Sequence, residues 1–239
     1  MLKKLLLIIF FIPLVSNAAN SVEEEQGVWK GEGELGFTST SGNTDSENLN
    51  AKLGISREEG KWKHAASLGA IKNTTEDETT ADSLLFKEKS EYKLGEKSYA
   101  FGQLRYEDDE FSGYDYQTSI SFGVGSRFIE NEQHLLDASI GLGYRSIKDS
   151  ETGDSEEDAI ITGEAIYAYK ISETATFTQI FYVESGDENT HSESDTGLKM
   201  QIVGNLASKI SYLVKHNSDV PSGTDKTDKI FSVSLVYGF

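Results

Sequence analysis

Apolar and polar residues alternate along most of this chain between residues 29 and 239. Successive side chains of a β-strand point to opposite faces of the sheet, so a period of two predicts strands with one apolar and one polar face. The pattern predicts about twelve strands of roughly 8 to 15 residues each. They cover residues 29–39, 46–57, 62–73, 83–94, 98–108, 114–128, 134–146, 159–169, 175–185, 196–206, 209–217 and 229–239.

The last predicted strand, 229–239, shows the alternation most clearly. Its apolar positions are Phe231, Val233, Leu235, Tyr237 and Phe239, and mostly small or polar residues lie between them. A terminal aromatic residue that follows such alternation resembles the assembly signal of bacterial outer-membrane β-barrels. We therefore predict that these five residues form the signal that the barrel-assembly machinery binds during biogenesis.

The segments between the predicted strands alternate between long and short. The long ones, rich in Asp, Glu, Ser and Thr, are 73–82, 108–113, 147–158, 185–195 and 218–228, and the short ones are 58–61, 95–97, 129–133, 170–174 and 204–208. Outer-membrane barrels have short periplasmic turns and longer external loops, and their sheet closes because lipid cannot satisfy an open edge. We predict an all-β, closed antiparallel transmembrane β-barrel of 12 strands, with 10 or 14 as alternatives, and both termini in the periplasm.

Aromatic residues concentrate near the ends of the predicted strands. Rings at the two membrane interfaces form the girdles of a spanning barrel. We assign Trp29, Trp62, Tyr92, Tyr99, Phe128 and Tyr169 to the periplasmic interface. We assign Phe37, Phe86, Tyr114, Tyr116, Tyr144, Tyr182 and Phe231 to the outer interface.

The first nineteen residues have the composition of a secretory signal peptide. Lys3 and Lys4 precede an apolar run at 5–15, and small residues follow at 16–19. The apolar run is shorter than the roughly 20 residues of a membrane-spanning helix. We predict that 1–19 is cleaved, that 20–28 is a periplasmic lead-in, and that 29–239 forms a single barrel domain in the bacterial outer membrane.

Charge and cysteine content exclude several kinds of function. The chain has 22 basic and 40 acidic side chains, a net charge of −18, and no cysteine. Nucleic-acid binding requires basic groups that neutralise phosphates, so no nucleic acid is expected as a partner. Disulfides and thiolate chemistry are excluded. The expected partners are outer-membrane lipid and lipopolysaccharide.

Catalytic and metal sites have little support in the sequence. No two of the four histidines, His64, His134, His191 and His216, have the spacing of metal ligands, and His191 falls in a predicted loop. No residue is identifiable as a nucleophile, so we expect neither an enzyme nor a cofactor. A barrel hydrolase acting on lipid or peptide stays an alternative. The acidic segment 149–158 could attract divalent cations without specificity.

The inward face of the predicted barrel carries both signs of charge. The expected lumen-facing residues are Lys30, Glu32, Glu34, Lys52, Arg105, Glu107, Arg127, Arg145 and Lys199. Eight-stranded barrels are filled by side chains, whereas barrels of 16 to 18 strands leave a channel, and twelve strands lie between these cases. A narrow pore and a closed barrel are both compatible with this face. An adhesive or receptor surface formed by the acidic loops is a further alternative.

Short motifs along the chain resemble a known family. They are Trp29-Lys-Gly-Glu32, Ser41-Gly-Asn-Thr44, Tyr106-Glu-Asp108 with Phe111, Gly123-Val-Gly125 and Tyr237-Gly-Phe239. In this order they resemble the YdiY-like family, known as salt-induced outer-membrane proteins and as a domain family of unknown function. The resemblance implies an outer-membrane barrel of Gram-negative bacteria, linked to salt or osmotic conditions, and it supplies no catalytic residues. The expected function is structural or that of a passive channel.

Overall fold

Consecutive antiparallel strands close into one barrel in the computed structural model, which describes residues 27–40, 46–75, 78–109, 114–149, 153–187, 189–220 and 225–239. The twelve strands of this part of the chain are β1 (Trp29–Thr40), β2 (Ser46–Glu59), β3 (Trp62–Thr75), β4 (Glu78–Lys93), β5 (Ser98–Asp109), β6 (Tyr114–Glu130), β7 (His134–Asp149), β8 (Ser155–Lys170), β9 (Ala175–Ser185), β10 (Thr190–Val203), β11 (Leu206–Asn217) and β12 (Thr227–Gly238). The predicted fold class and strand number are confirmed.

The first and last strands join to complete the barrel. Leu35 of β1 lies opposite Leu235 of β12, and Glu32 lies opposite Gly238. The Gly31 amide donates to the Phe239 carbonyl at 2.8 Å, and the Phe239 amide donates back to Gly31 at 2.9 Å. This seam pairs the two strands that would otherwise expose unsatisfied backbone groups to lipid.

The two ends of the barrel differ in their connections. At one end, which we call the terminal end, lie Trp29, Phe239 and tight turns such as those at Gly60 and Gly204. Both glycines have positive φ, 58° and 53°, which turns of this kind need. At the opposite end, which we call the loop end, β11 and β12 are joined by 218–226.

Several strands extend further toward the loop end than the sequence predicts. β4 begins at Glu78 rather than 83, β8 at Ser155 rather than 159, and β10 at Thr190 rather than 196. These extensions consist almost entirely of polar residues, so they show no apolar alternation, yet neighbouring strands still pair with them. In consequence, parts of the predicted long loops belong to the sheet.

The barrel wall is apolar outside and polar inside. Large side chains such as Leu142, Phe122 and Ile140 are exposed on the outer face, whereas most side chains buried inside are polar or charged. This distribution reverses that of a soluble protein and matches a wall that faces lipid. Among the described residues, no helix is long and apolar enough to span a membrane.

Candidate functional site

A cluster of charged side chains fills the lumen near the loop end of the barrel. Five residues form it, and we call them the ion-pair layer: Arg105 and Glu107 of β5, His191 and Glu193 of β10, and Lys215 of β11. Alternation along each strand directs these side chains inward, because they lie an even number of residues apart on their own strand.

Arg105 and Lys215 hold the two carboxylates of the layer. Arg105 Nη2 donates to Glu107 at 2.6 Å and to Glu193 at 2.5 Å. Lys215 Nζ donates to the other oxygen of Glu107 at 2.6 Å. His191 Nε2 lies 3.1 Å from Glu193. Each carboxylate therefore has charged hydrogen-bond partners, as a charge removed from water requires.

These contacts cross the barrel rather than follow its wall. Lys87 of β4 donates to Glu193 of β10 at 3.2 Å. These two strands are six positions apart in the ring of twelve, and so are β5 and β11, which carry Glu107 and Lys215. A circular barrel of twelve strands spaced about 4.8 Å and tilted about 40° would be roughly 24 Å wide. An extended lysine and glutamate cannot bridge that width. The barrel is therefore flattened. The wall formed by β4 and β5 lies closer to the wall formed by β10 and β11 than it would in a circular barrel.

The ion-pair layer is shielded from bulk solvent. Its five side chains are all buried, and Glu107 is only 4% exposed. Next to it, the Tyr182 hydroxyl donates to Glu184 at 2.7 Å, and Ser119 donates to the same carboxylate at 3.2 Å. Side chains therefore close the lumen at this level.

A second buried ion pair lies closer to the loop end. Arg145 is 1% exposed and donates to both oxygens of Asp158, at 2.9 and 3.2 Å, and to the Asn189 carbonyl at 2.8 Å. The Asn189 side chain donates to Asn217, which also lies 3.0 Å from His191 Nδ1. These contacts link the β9–β10 connection to the ion-pair layer.

On the terminal side of the layer the lumen widens into a cavity of about 530 Å³. Lys89 crosses it to Glu164 at 2.5 Å, and Lys63 pairs with Glu91 at 3.4 Å. Lys87, which reaches Glu193, also lines this cavity. The cavity and the ion-pair layer therefore meet at one lysine.

The predicted lumen residues divide between these two regions. Arg105, Glu107 and Arg145 lie in the closed part, whereas Lys30, Glu32 and Arg127 line the cavity. Lys199 donates to Glu32 at 2.7 Å, Glu34 accepts from Lys209 and Ser234, and Lys52 lies opposite Glu34 in the β1–β2 register.

The aromatic residues assigned to the terminal-end interface lie mostly outside the barrel. Trp29, Trp62 and Phe128 are exposed on the outer wall, Tyr92 packs edge-on against Trp62 at 5.0 Å, and Tyr169 stacks on His134 at 4.7 Å.

Tyr99 is inside the barrel, so its assignment to the interface was wrong. It is 3% exposed, and its hydroxyl donates to Asp137 at 2.5 Å. Tyr99 lies at the terminal end of β5, as assigned. It is, however, an even number of positions from Arg105 along the strand, which places both side chains on the inward face. Tyr182 and Tyr114, assigned to the outer interface, are also buried inside.

The residues predicted as the assembly signal share one face of β12. Phe231, Val233, Leu235, Tyr237 and Phe239 are all exposed on the outer wall. A Cβ atom at Gly31 would lie 2.2 Å from the Phe239 ring, so a glycine is needed for this ring to pack over β1. Recognition of the strand by assembly machinery stays a prediction.

Comparison with known proteins places this chain in a family. The family model described as "Protein of unknown function, DUF481" matches residues 33–239. The chain belongs to this family. It is 27% identical over 208 residues to "Uncharacterized protein YdiY" of Escherichia coli (strain K12), covering 84% of this chain and 80% of that protein. The predicted YdiY-like family is confirmed.

Two solved structures resemble this barrel. The COG4313 outer membrane channel from Pseudomonas putida F1 matches with a TM-score of 0.56 and 9% identity, covering 96% of this chain and all (100%) of that one. The translocator domain of autotransporter NalP from Neisseria meningitidis matches with a TM-score of 0.49 and 14% identity, covering 92% and 89%. The first likeness shows the fold of a bacterial outer-membrane barrel, and neither transfers an activity.

Sequence reasoning missed three of the five residues of the ion-pair layer: Lys215, which lies in the predicted strand 209–217, and His191 and Glu193. His191 and Glu193 fall in the segment 185–195, which was predicted to be a loop and is mostly strand. Their outward neighbours Ser192 and Ser194 are polar, so the segment has no apolar face for periodicity to detect. The signal that could have found them is the alternation of larger polar residues with serine.

Among the described residues, three that could hold a metal ion together lie in the layer. Ligand atoms of Glu107, His191 and Glu193 lie within 4.8 Å of one another. Both carboxylates, however, already bind Arg105 and a lysine at hydrogen-bond distance. A divalent cation would have to displace buried cationic side chains, so the geometry favours the ion pairs.

On the outer wall, a serine, a histidine and an acid lie together, but the serine lies between the other two, whereas in a catalytic triad the histidine does. Ser90 Oγ lies 2.7 Å from His64 Nδ1 and donates to Glu88 at 2.6 Å. Acyl transfer also needs donors for the developing oxyanion. The β3–β4 and β4–β5 ladders occupy the backbone amides around Ser90. The group therefore has neither the order of a triad nor free backbone amides beside Ser90 for an oxyanion.

Proposed function

We propose that this outer-membrane barrel is a channel for small ions or solutes that the ion-pair layer holds closed at rest. The observation that carries the proposal is the set of buried ion pairs that join opposite walls of the lumen, Lys87–Glu193 and Lys215–Glu107. Such contacts block the lumen at one level, while a charged cavity lies on their terminal side.

The nature of the closure favours a channel over a purely structural barrel. Charged side chains make the contacts that cross the lumen, although Phe101, Ile147 and Ile160 are buried inside as well, and Lys87 already faces the cavity. Ion pairs can exchange partners, whereas a well-packed apolar core resists rearrangement. A hydrated ion entering the cavity therefore meets a barrier of side chains that can rotate.

Salt should act on this barrier through its partly exposed lysine. The Lys87 side chain is 32% exposed. Mobile ions screen exposed charges more strongly than buried ones. We therefore expect opening to become more frequent as the salt concentration rises, which would link the channel to the salt conditions that the family resemblance suggests.

The proposal includes an orientation. We place the terminal end in the periplasm and the loop end outside, after cleavage of residues 1–19. Tight turns at the terminal end and the longer β11–β12 connection at the loop end support this orientation. The cavity then opens toward the periplasm, and the ion-pair layer lies near the outer surface.

Single-channel recording in planar bilayers tests the proposal. We expect the refolded wild type to be closed most of the time, with rare discrete current steps. Arg105→Ala removes the side chain that links Glu107 to Glu193 and should give frequent, larger steps. Lys199→Ala, a matched truncation in the exposed Lys199–Glu32 pair, should behave as wild type.

Two results would contradict a closed channel. A wild type that conducts continuously would mean that the layer does not close the lumen. An inserted Arg105→Ala barrel that stays silent in all salts would favour the structural alternative.

A further inference from the structure

The outer wall of the barrel carries a polar strip that faces lipid. The strip consists of His64 on β3 and Ser90 and Glu88 on β4, joined by the hydrogen bonds described above. Lys87 and Lys89 point into the lumen, so Glu88 and Ser90 on the other face of β4 point outward.

The strip lies deep in the apolar part of the wall. Glu88 is four residues from Tyr92, which packs against Trp62 at the terminal end. Four residues of a strand tilted by about 40° rise roughly 10 Å along the barrel axis, and the apolar band of such a barrel is about 25 Å tall. Phe86 and Leu84 continue the outward face beyond Glu88, toward the loop end. Glu88 therefore lies near the middle of the band.

A carboxylate at this depth requires a partner. Ser90 gives Glu88 one hydrogen bond, and among the described side chains no cation pairs with Glu88. Ionisable groups at membrane depth are costly and mark functional contacts when they are present. The structure leaves the second carboxylate oxygen of Glu88 and the Nε2 atom of His64 without hydrogen-bond partners among the described residues.

A second polar group on the outer wall, centred on Gln179, needs no partner from another molecule. Gln179 donates to Ser194 at 3.0 Å and accepts from Thr196 at 2.6 Å. Both amide atoms of Gln179 are thus satisfied within one molecule. Unlike Gln179, the strip on β3 and β4 therefore leaves polar atoms available for a contact from another molecule.

The surface on the β3 side of the strip allows close approach. Ala66 lies opposite Glu88 on β3, whereas on the β5 side the Phe122 ring packs over Gly102, which lies opposite Ser90. Small residues at membrane-facing surfaces let two backbones come together and bring polar groups within reach. Large side chains such as Ile140 cover the outer wall at β7.

We propose that the strip is the interface between two copies of this chain in the membrane, related by a two-fold axis along the membrane normal. This axis keeps each residue at its own depth, so the two strips face each other. Ser90 gives its hydrogen to Glu88, so His64 donates its Nδ1–H to Ser90, and the protonated imidazole of each copy can then donate its Nε2–H to the Glu88 carboxylate of the other. Donor and acceptor lie on one surface, so the surface is complementary to itself, as a two-fold interface requires.

Cysteine cross-linking in native outer membranes tests this interface. The chain has no cysteine, so Ser90→Cys introduces a single thiol in the strip. We expect oxidation to give a disulfide-linked dimer, because a disulfide forms only between closely spaced chains. Ile140→Cys places a thiol on the outer wall away from the strip and should stay monomeric. Equal cross-linking at both positions, or none at position 90, would overturn the proposal.

The mass of the protein in mild detergent is an independent test that needs no cysteine. Wild type should have the mass of two copies, and Glu88→Leu the mass of one, while both keep the strand content of a folded barrel. Glu88→Leu that remains dimeric would overturn the proposal. Monomeric wild type that retains bound lipid would assign the strip to lipid and would also overturn it.

Discussion

The two halves of the lumen contain the same kinds of side chain in different environments. In the loop-end half, Arg105, Glu107, Glu193 and Lys215 are buried and meet across the barrel. In the terminal half, pairs such as Lys199–Glu32 lie against an open cavity, with the Lys199 side chain 41% exposed. An ion pair in water contributes little, whereas a buried pair that loses one partner leaves a costly charge behind. Closure therefore depends on where the barrel narrows rather than on how many charges line it.

The largest expected difference between the halves is in the loss of stability when one glutamate of each half is replaced by leucine. Glu193→Leu leaves Arg105 and Lys87 without a shared carboxylate. We expect a loss of about 3–5 kcal/mol in the free energy of unfolding, measured with denaturant in lipid vesicles. Glu32→Leu, the matched change in the terminal half, should lose less than about 1 kcal/mol. Equal losses in the free energy of unfolding would mean that water reaches the ion pairs of the two halves equally.

A pair of arginines repeats the comparison with a different chemical group. Arg145→Met leaves Asp158 buried without its partner and removes the bond to the Asn189 carbonyl. We expect a loss of about 3 kcal/mol in the same unfolding measurement. Arg127 makes only long ion contacts of 3.7 to 4.0 Å, so Arg127→Met should cost below about 1 kcal/mol. A larger effect at Arg127 would contradict the assignment of the buried half.

The sequence was sufficient for the fold because lipid forces side chains to alternate. In the strand of Phe122 and in that of Leu142, every second residue is apolar and the turns between strands are tight, so period and strand number could be predicted. Contacts across the lumen could not be predicted in this way. They depend on which opposite strands approach, as for Lys87 and Glu193, and a linear pattern does not contain that distance. Tyr99 shows the same limit, because its position at the end of a strand did not reveal whether its side chain faces the lumen or the outer wall.

The smallest expected effect concerns salt. Lys199→Gln should change the free energy of unfolding by less than about 0.5 kcal/mol at low salt, and the change should vanish near 1 M salt because exposed charges are screened. Most of the loss caused by Glu193→Leu should persist at high salt, because its pair with Arg105 is buried and is screened far less than its pair with the partly exposed Lys87. Unfolding curves at two salt concentrations check both statements. A Glu193→Leu effect that disappears in salt would show that water and ions reach the layer.

Thiol accessibility tests the division of the lumen most directly. Ser67 lines the cavity, whereas Ser119 is buried next to Glu184, and both face inward. In a chain without cysteine, Ser67→Cys and Ser119→Cys each provide one thiol for a water-soluble maleimide. We predict that Ser119→Cys reacts at least about tenfold more slowly in the folded barrel, because reaction requires access, and equally fast after unfolding. Equal rates in the folded barrel would show an open lumen and contradict closure by the ion-pair layer.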